Sequence, residues 1–134
     1  MAIVDVGMTQ DEVMEAVSPA PEGDYLLTFE GFLESPEGEV LFTTKKGGKM
    51  AKAKFTINSA DPKADGKRLI YNGVVGSFSF ANLCKALPIM SGTGIDTEGA
   101  ISRQIKGHVT IREYENPETG EKTVSNDLSK MSAV

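Results

Sequence analysis

The clearest pattern in the chain is a strict alternation at residues 50–57, MAKAKFTI. Successive side chains of a β-strand point to opposite faces, so this pattern predicts a half-buried strand. The predicted inner face consists of Ala51, Ala53, Phe55 and Ile57. The other face holds two lysines, Lys52 and Lys54, between Met50 and Thr56. The preceding residues 45–49, KKGGK, predict a hairpin turn, because glycine supplies the positive φ that tight turns need.

A second strand of the same design is predicted at residues 104–114. Its predicted inner face consists of Ile105, Gly107, Val109 and Ile111. Its predicted outer face consists of Lys106, His108, Thr110, Arg112 and Tyr114. Two strands far apart in the sequence would therefore each present cations with threonine on the outside of a sheet.

The remaining periodic segments predict a mainly β fold with one short helix. Strands are predicted at 25–33, 40–44, 68–72 and 122–128, with bends at Gly31 and Pro36 and a strand end at Asn72-Gly73. The helix is predicted at 79–87, with Ser79 as N-cap and Pro88 closing it. Its apolar stripe holds Cys84, which we expect to be a core residue rather than a reactive thiol.

The order of these elements predicts a five-stranded OB-fold barrel, in which one helix lies between strands three and four. The predicted strands are 24–44 (bent), 50–58, 67–72, 104–114 and 121–128. In this fold, oligonucleotides bind on the face of strands two and three and at the loops that follow strands one and four. The predicted basic residues lie at those places.

The first 21 residues predict a separate acidic arm, followed by a nucleic-acid-binding domain at 22–134. Thr9-Gln10-Asp11-Glu12 has the pattern of a capping box, and Val13, Met14 and Val17 follow at helical spacing. Pro19 and Pro21 predict a linker. Two roles stay open: the arm competes with nucleic acid for the cationic surface, or its helix packs on the barrel and covers an edge.

Charge is distributed unevenly along the 134 residues, although the whole chain has a net charge of only −5. Residues 44–68 hold eight Lys or Arg against Asp61 and Asp65, a net charge of +6. Residues 1–44 hold ten Asp or Glu and no Lys or Arg. A concentrated cationic segment in an acidic protein favours a polyanionic partner, most often nucleic acid. The alternative is that these lysines only solvate a strand and protect it from aggregation.

Composition argues against several other classes of protein. One cysteine, Cys84, excludes an intrachain disulfide, and with the single His108 it nearly excludes a Cys/His zinc site. No partnered Ser, Cys or His suggests a catalytic set, so neither an enzyme nor a cofactor is expected. The sequence MAIVDVG at the start lacks the pattern of a signal peptide, and no apolar run has the length of a membrane span. A cytoplasmic location is expected.

Single-stranded nucleic acid is held by a cationic groove that follows the backbone and by aromatic rings that stack on bases. Tyr114, close to Arg112 and Lys106 on one predicted face, is the best candidate for stacking, and Tyr71 is a weaker one. His108 is interpreted as a residue of the sheet. The candidate nucleic-acid contacts are Lys45, Lys46, Lys49, Lys52, Lys54, Arg68, Tyr71, Lys106, Arg112 and Tyr114.

Short segments also match a known pattern: EGDY at 22–25, KGGKM at 46–50, GKR at 66–68, the helix at 80–87 and a strand end near Asn126. On these segments, residues 22–128 resemble the small phage-encoded single-stranded-DNA-binding proteins. The resemblance implies an OB-fold and sequence-tolerant binding of single-stranded DNA in phage replication or recombination. It also implies phage replication or recombination proteins as partners and the cytoplasm of the host cell as the location.

Two other functions stay open. The chain could be a phage accessory or virion protein that uses the barrel to bind protein, or an RNA-binding OB domain. Contacts to the 2′-hydroxyl, which separate RNA from DNA, are not evident in a sequence. The sequence also leaves open the oligomeric state and the face of strand 67–72 that is buried.

Overall fold

A computed structural model describes residues 2–134, except for the side chains of Val13, Glu15, Ala16 and Val17. The protein is mainly β: a six-stranded antiparallel sheet, a small separate hairpin and two short helices. In chain order the elements are α1 (Gln10–Val17), β1 (Gly23–Phe32), β2 (Leu41–Thr43), β3 (Lys49–Asn58), β4 (Arg68–Val74), α2 (Phe78–Ala86), β5 (Met90–Ser91), β6 (Gly94–Ile95), β7 (Gln104–Glu115) and β8 (Lys122–Ala133).

The sheet has the order β2-β3-β1-β7-β8, and β4 pairs with the other side of β3. β4 and β8 are in contact without a ladder between them, and α2 packs against both. The predicted alternation of β3 is confirmed, because Ala51, Ala53, Phe55 and Ile57 are all 0% exposed. Phe55 packs against Phe29 of β1, with ring centroids 5.6 Å apart. These side chains lie at the centre of the hydrophobic core.

The first predicted strand bends where expected and then breaks. β1 changes register with β3 between Phe29 and Gly31, and Gly31 has φ +111°, a conformation that other residues rarely adopt. A loop over 33–40 separates β1 from β2, and the hydrogen bond from Gly38 N–H to Ser35 O makes a turn around Pro36. The bend near Gly31 and the break around Pro36 are confirmed.

Two predicted boundaries near α2 are wrong. β4 does not end at Asn72-Gly73; it continues to Val74. Gly73 is buried in this strand, where a Cβ would lie 3.3 Å from the Phe80 ring. Ser79 is not the N-cap: α2 begins at Phe78, and the Ser79 hydroxyl instead accepts the N–H of Val74 at 2.9 Å. The N-cap of α2 is Ser77. Serine is favoured as an N-cap at either position, and the bond from Val74 of β4 uses the Ser79 hydroxyl instead.

β7 and β8 extend beyond the rest of the sheet. The ladder between β1 and β7 runs from Gln104 to Val109, so residues 110–115 pair only with β8. Ile105, Gly107 and Val109 face the core as predicted, and a Cβ on Gly107 would lie 2.4 Å from Leu128. Ile111 is 42% exposed, so the predicted inner face ends at Val109. β8 is also longer than predicted and reaches Ala133.

The N-terminal capping box is confirmed. Glu12 N–H donates to Thr9 Oγ1 at 3.2 Å, and Thr9 N–H donates to Glu12 Oε1 at 3.3 Å. The predicted packing of α1 through Val13 and Val17 lies outside the described residues, and Met14 is 59% exposed. None of the helices formed by the described residues has the length and apolar character needed to cross a membrane.

The segment predicted to be a linker is fixed by hydrogen bonds at two places, to β8 and next to β4. Ala20 is 0% exposed, and its N–H and C=O both bond to the Asn126 side chain of β8, at 2.8 and 3.0 Å. Lys67 Nζ donates to the Ser18 hydroxyl at 2.9 Å, next to the start of β4. Tyr25 OH donates to Pro21 O at 2.6 Å. Residues 18–21 therefore join the two strands β4 and β8.

Candidate nucleic-acid interface

The outer side of β3 and β4 concentrates cations, while the adjoining β1 carries the exposed Glu30 next to Gly31, the residue that pairs with Lys54. The outer face of β3 and β4 consists of Met50, Lys52, Lys54, Thr56, Arg68, Ile70 and Asn72, and we call it the lysine face. The register sets Lys52 opposite Asn72, Lys54 opposite Ile70 and Thr56 opposite Arg68. The fully buried inner face of β3 fixes which side chains point outward, because a shift of one residue would bury the lysines.

The hairpin between β2 and β3 adds three more lysines at one end of this face. Thr44 and Gly48 close the turn: Thr44 N–H donates to Gly48 O at 2.8 Å, and Gly48 N–H donates to Thr44 Oγ1 at 2.9 Å. Gly47 has φ +84°, which a side chain would disfavour. We call Lys45, Lys46 and Lys49 of this hairpin the lysine turn; all three are exposed.

None of the cations on the lysine face or the lysine turn forms an ion pair with the residues that the structure describes. Their charges are therefore not neutralised within the described part of the chain. A row of unneutralised lysines on a sheet attracts a polyanion such as the phosphate backbone of a nucleic acid.

An aromatic residue that the sequence did not single out lies beside the lysine face, on β2. Phe42 of β2 is half-buried and stands opposite Met50, and Lys52 Nζ lies 4.8 Å from the centroid of its ring. A ring beside cations is the combination that binds single-stranded nucleic acid. The sequence contained the signal: a hairpin closed at residues 44–48 pairs residue 42 with residue 50 and puts both on one face.

An open groove borders the lysine face. One wall is β4, with Arg68, Ile70 and Asn72, and the opposite wall is the extended part of β7 and β8. Arg112 and residues 124–127 line this second wall. Met8, just before α1, and Asp11 and Glu12 in its first turn also line the groove, so the acidic arm and two arginines, Arg68 and Arg112, share it.

The extended part of β7 and β8, residues 110–127, differs in charge from the lysine face; we call it the distal hairpin. Arg112 Nε lies 3.7 Å from Asp127 Oδ2, and Lys122 Nζ lies 3.7 Å from Glu113 Oε1. Tyr114 is 55% exposed on this hairpin, beyond the end of β1. It is absent from the lining of the open groove. The structure therefore places the predicted stacking residue apart from the lysine face.

Lys106 and His108 lie on the outer side of β7, nearer the centre of the sheet. Lys106 is exposed opposite Leu26 of β1. His108 Nδ1 lies 2.7 Å from Asp24 Oδ1 on the neighbouring strand. This contact agrees with the interpretation of His108 as a residue of the sheet.

Tyr71 is on the opposite face from the lysines. β4 buries Leu69 and Gly73, and Tyr71 shares their side and packs against the core. Its hydroxyl donates to Ser79 O at 2.9 Å, and burial raises the pKa of this phenol. The inner face of β4, which the sequence left open, is therefore Leu69, Tyr71 and Gly73. Cys84 also packs against the core, and burial raises the pKa of its thiol.

The described residues contain no cluster of three or more His, Cys, Asp or Glu side chains arranged to hold a metal ion. Comparison of the chain with protein-family models, with curated proteins and with solved structures found no match.

Proposed function

We propose that this protein binds single-stranded nucleic acid, with single-stranded DNA as the main ligand, without catalysing a reaction. The observation that carries the proposal is the lysine face: three cations on two paired strands, none of which forms an ion pair with described residues, although Glu30 lies on the adjoining β1. Phosphates would contact Lys52, Lys54 and the lysine turn, and bases would stack on exposed rings. The distinguishing feature of a single strand is that its bases are available for such stacking.

The strand arrangement supports an OB-fold as the finer description of the sheet. The order β4-β3-β1-β7-β8, with β4 in contact with β8 and α2 between β4 and β7 in the chain, is the arrangement expected of that barrel. In an OB-fold the lysine turn and the distal hairpin correspond to the two loops that border the binding face. A role in phage replication or recombination rests only on the resemblance described above.

The test is fluorescence anisotropy with labelled oligo-dT, oligo-rU and a duplex at several salt concentrations. The five lysine contacts are expected to contribute about −3.5 to the slope of log affinity against log salt for oligo-dT, at about −0.7 per contact, and a contact from Arg68 adds about −0.7 more. Lys52→Glu with Lys54→Glu should flatten the slope by about 1.4 and weaken binding for every base composition. Tighter binding of oligo-rU would make RNA the main ligand.

The matched control is Lys85→Glu with Lys130→Glu, which changes the net charge equally at two exposed lysines away from the lysine face. It should bind oligo-dT almost like the unchanged protein. If the Lys52/Lys54 variant remains folded and binds with unchanged affinity and slope, the lysine face is not the binding surface. In that case a protein-binding module becomes the better proposal, because Phe78 is 89% exposed and lies outside the lysine face.

A further inference from the structure

A second groove, mainly apolar and outside the lysine face, has no role in the proposed binding of nucleic acid. Its apolar lining consists of Val40, Leu41, Val75, Phe80, Met90 and Ile95. Val75 and Met90 are 45% and 47% exposed, and Phe78, close to Val75 in the chain, is 89% exposed. Exposed apolar side chains around a groove make it a candidate site of interaction with another protein segment.

The same chain contains an exposed apolar segment. Ile3, Val4 and Val6 are 88%, 83% and 72% exposed, in a stretch without helix or strand. Farther along the arm, Met8, Asp11 and Glu12 line the open groove that Arg68 also lines, and none of the arm's described residues lines the apolar groove. Within one copy, the described part of the segment and the apolar groove therefore do not meet.

Charge favours a contact between this arm and the apolar groove. Residues 2–17 hold four Asp or Glu and no Lys or Arg. The apolar groove reaches Lys49 of the lysine turn, because Val75 N–H donates to Lys49 O at 2.9 Å. Among the described residues that line the groove, Glu39 is the one carboxylate. An apolar segment followed by acids is thus complementary to an apolar groove that has a lysine at one end.

The edge of the sheet offers a backbone partner as well. β2 is an edge strand that pairs only with β3, and its Leu41 lines the apolar groove. An extended segment rich in β-branched residues, such as Ile3 to Val6, is suited to pairing with such an edge.

We propose that the N-terminal segment Ala2–Met8 of one copy docks in the apolar groove of a second copy. The contact joins two different surfaces, so it is head-to-tail and can add further copies in a row. It does not depend on nucleic-acid binding, and its test uses protein alone. Failure of this contact and failure of the lysine face are therefore measured separately.

The experiment is sedimentation velocity of the full chain and two variants over a micromolar concentration series. The segment variant is Ile3→Asp with Val6→Asp, and the groove variant is Val75→Asp with Met90→Asp. All four side chains are at least 45% exposed, so both variants should fold, which thermal unfolding checks. The unchanged protein should grow in average mass with concentration, and each variant alone should sediment as a single chain.

An equimolar mixture of the two variants tests whether the N-terminal segment is the part of the second copy that occupies the apolar groove. The segment variant retains the groove and the groove variant retains the segment, so the mixture should form a dimer of one copy of each. The control variant Ile101→Asp with Val134→Asp changes two other exposed apolar residues and should associate like the unchanged protein.

Three results would overturn the proposal. If the unchanged protein is a single chain throughout the series, copies do not associate. If the segment variant still associates, the groove binds another part of the second copy. If the mixture stays as single chains although the unchanged protein associates, the segment does not occupy the groove of another copy.

Discussion

The lysine face and the distal hairpin begin from the same sequence pattern but become different surfaces. Both come from strands predicted to have cations on one face and small or apolar residues on the other: residues 50–57 for the lysine face, and residues 104–114 for the strand that runs into the distal hairpin. On the lysine face the inner side is fully buried and the cations have no ion pair with described residues. On the distal hairpin Arg112 and Lys122 lie beside carboxylates, and Ile111 is 42% exposed.

The difference arises from the neighbours of each strand. β3 lies between β1 and β4, so its alternation is backed by a core that fixes the outward side chains. Beyond Val109, β8 is the one described strand that pairs with β7, the Ile111 N–H donates to Glu22 Oε1 on the other side, and β8 brings Asp127 to Arg112. Exposed ion pairs contribute little to stability, but they reduce the net charge that a polyanion meets. Alternation alone therefore does not identify a binding surface; the charge on the neighbouring strand matters equally.

The largest expected effect is on the free energy of unfolding, when one apolar side chain of each region is shortened to alanine. Phe55→Ala on the inner face of β3 should lower the free energy of unfolding by about 3–5 kcal/mol, because a fully buried ring leaves a cavity. Ile111→Ala on the distal hairpin should cost less than about 1 kcal/mol, because Ile111 is already 42% exposed and lies outside the core. Urea denaturation measures both. Equal losses would mean that the distal hairpin is packed as firmly as β3.

A second comparison concerns aromatic stacking. Phe42→Ala beside the lysine face should weaken oligo-dT binding by about 1–3 kcal/mol and leave the salt slope nearly unchanged, because a stacked ring releases no counterion. Tyr114→Ala should also weaken binding, by about 1 kcal/mol at the low end of that range, because the ring lies apart from the lysines.

Conservative variants control this comparison. Phe42→Tyr and Tyr114→Phe keep a ring and should bind almost like the unchanged protein. If Tyr114→Phe weakens binding as much as Tyr114→Ala, the hydroxyl makes the contact and stacking is the wrong role. If Phe42→Ala has no effect while Tyr114→Ala does, the bases follow the distal hairpin instead of the lysine face.

The sequence predicted the strands whose inner face is apolar at every second position, and the helix stripe that packs on them. The sequence did not predict the end of a strand where two elements pack together. At Gly73, which lies against Phe80, β4 continues past its predicted end. The sequence also did not assign the inward direction of Tyr71, because the strand shows no clear alternation before α2 covers one side. The predicted cations reach the surface, but the pairing of Arg112 with Asp127 depends on the β7–β8 register.

A smaller effect, on the salt slope, is expected to distinguish the two arginines that line the open groove. Arg68→Gln should reduce the steepness of the salt slope by about 0.7, the value of one phosphate contact. Arg112→Gln together with Asp127→Asn removes a cation and the carboxylate beside it, so the slope and the affinity should change little. Anisotropy titrations over a salt series measure both variants. A double variant that flattens the slope as much as Arg68→Gln would make Arg112 a phosphate contact despite its neighbour.

The smallest expected effect concerns the acidic arm, whose Asp11 and Glu12 line the same open groove as these arginines. Deleting residues 1–20 cannot separate competition from packing, because it also removes Ala20 and its two bonds to Asn126. Neutralising Asp11 and Glu12 avoids this problem, and Glu12→Gln keeps the oxygen that accepts the Thr9 N–H.

If the arm competes with nucleic acid, Asp11→Asn with Glu12→Gln should tighten oligo-dT binding roughly two- to five-fold at low salt, the effect of two exposed charges. The tethered acids have a high effective concentration at the groove, and 0.1 M salt screens them over about 10 Å, so the gain should disappear at high salt. The melting temperature should stay nearly the same, because neither side chain is buried. The matched control is Glu37→Gln with Glu39→Gln in the loop after β1, which removes the same charge away from the open groove. If both pairs of substitutions tighten binding equally, the effect comes from net charge, and the position of the arm in the groove has no part in it.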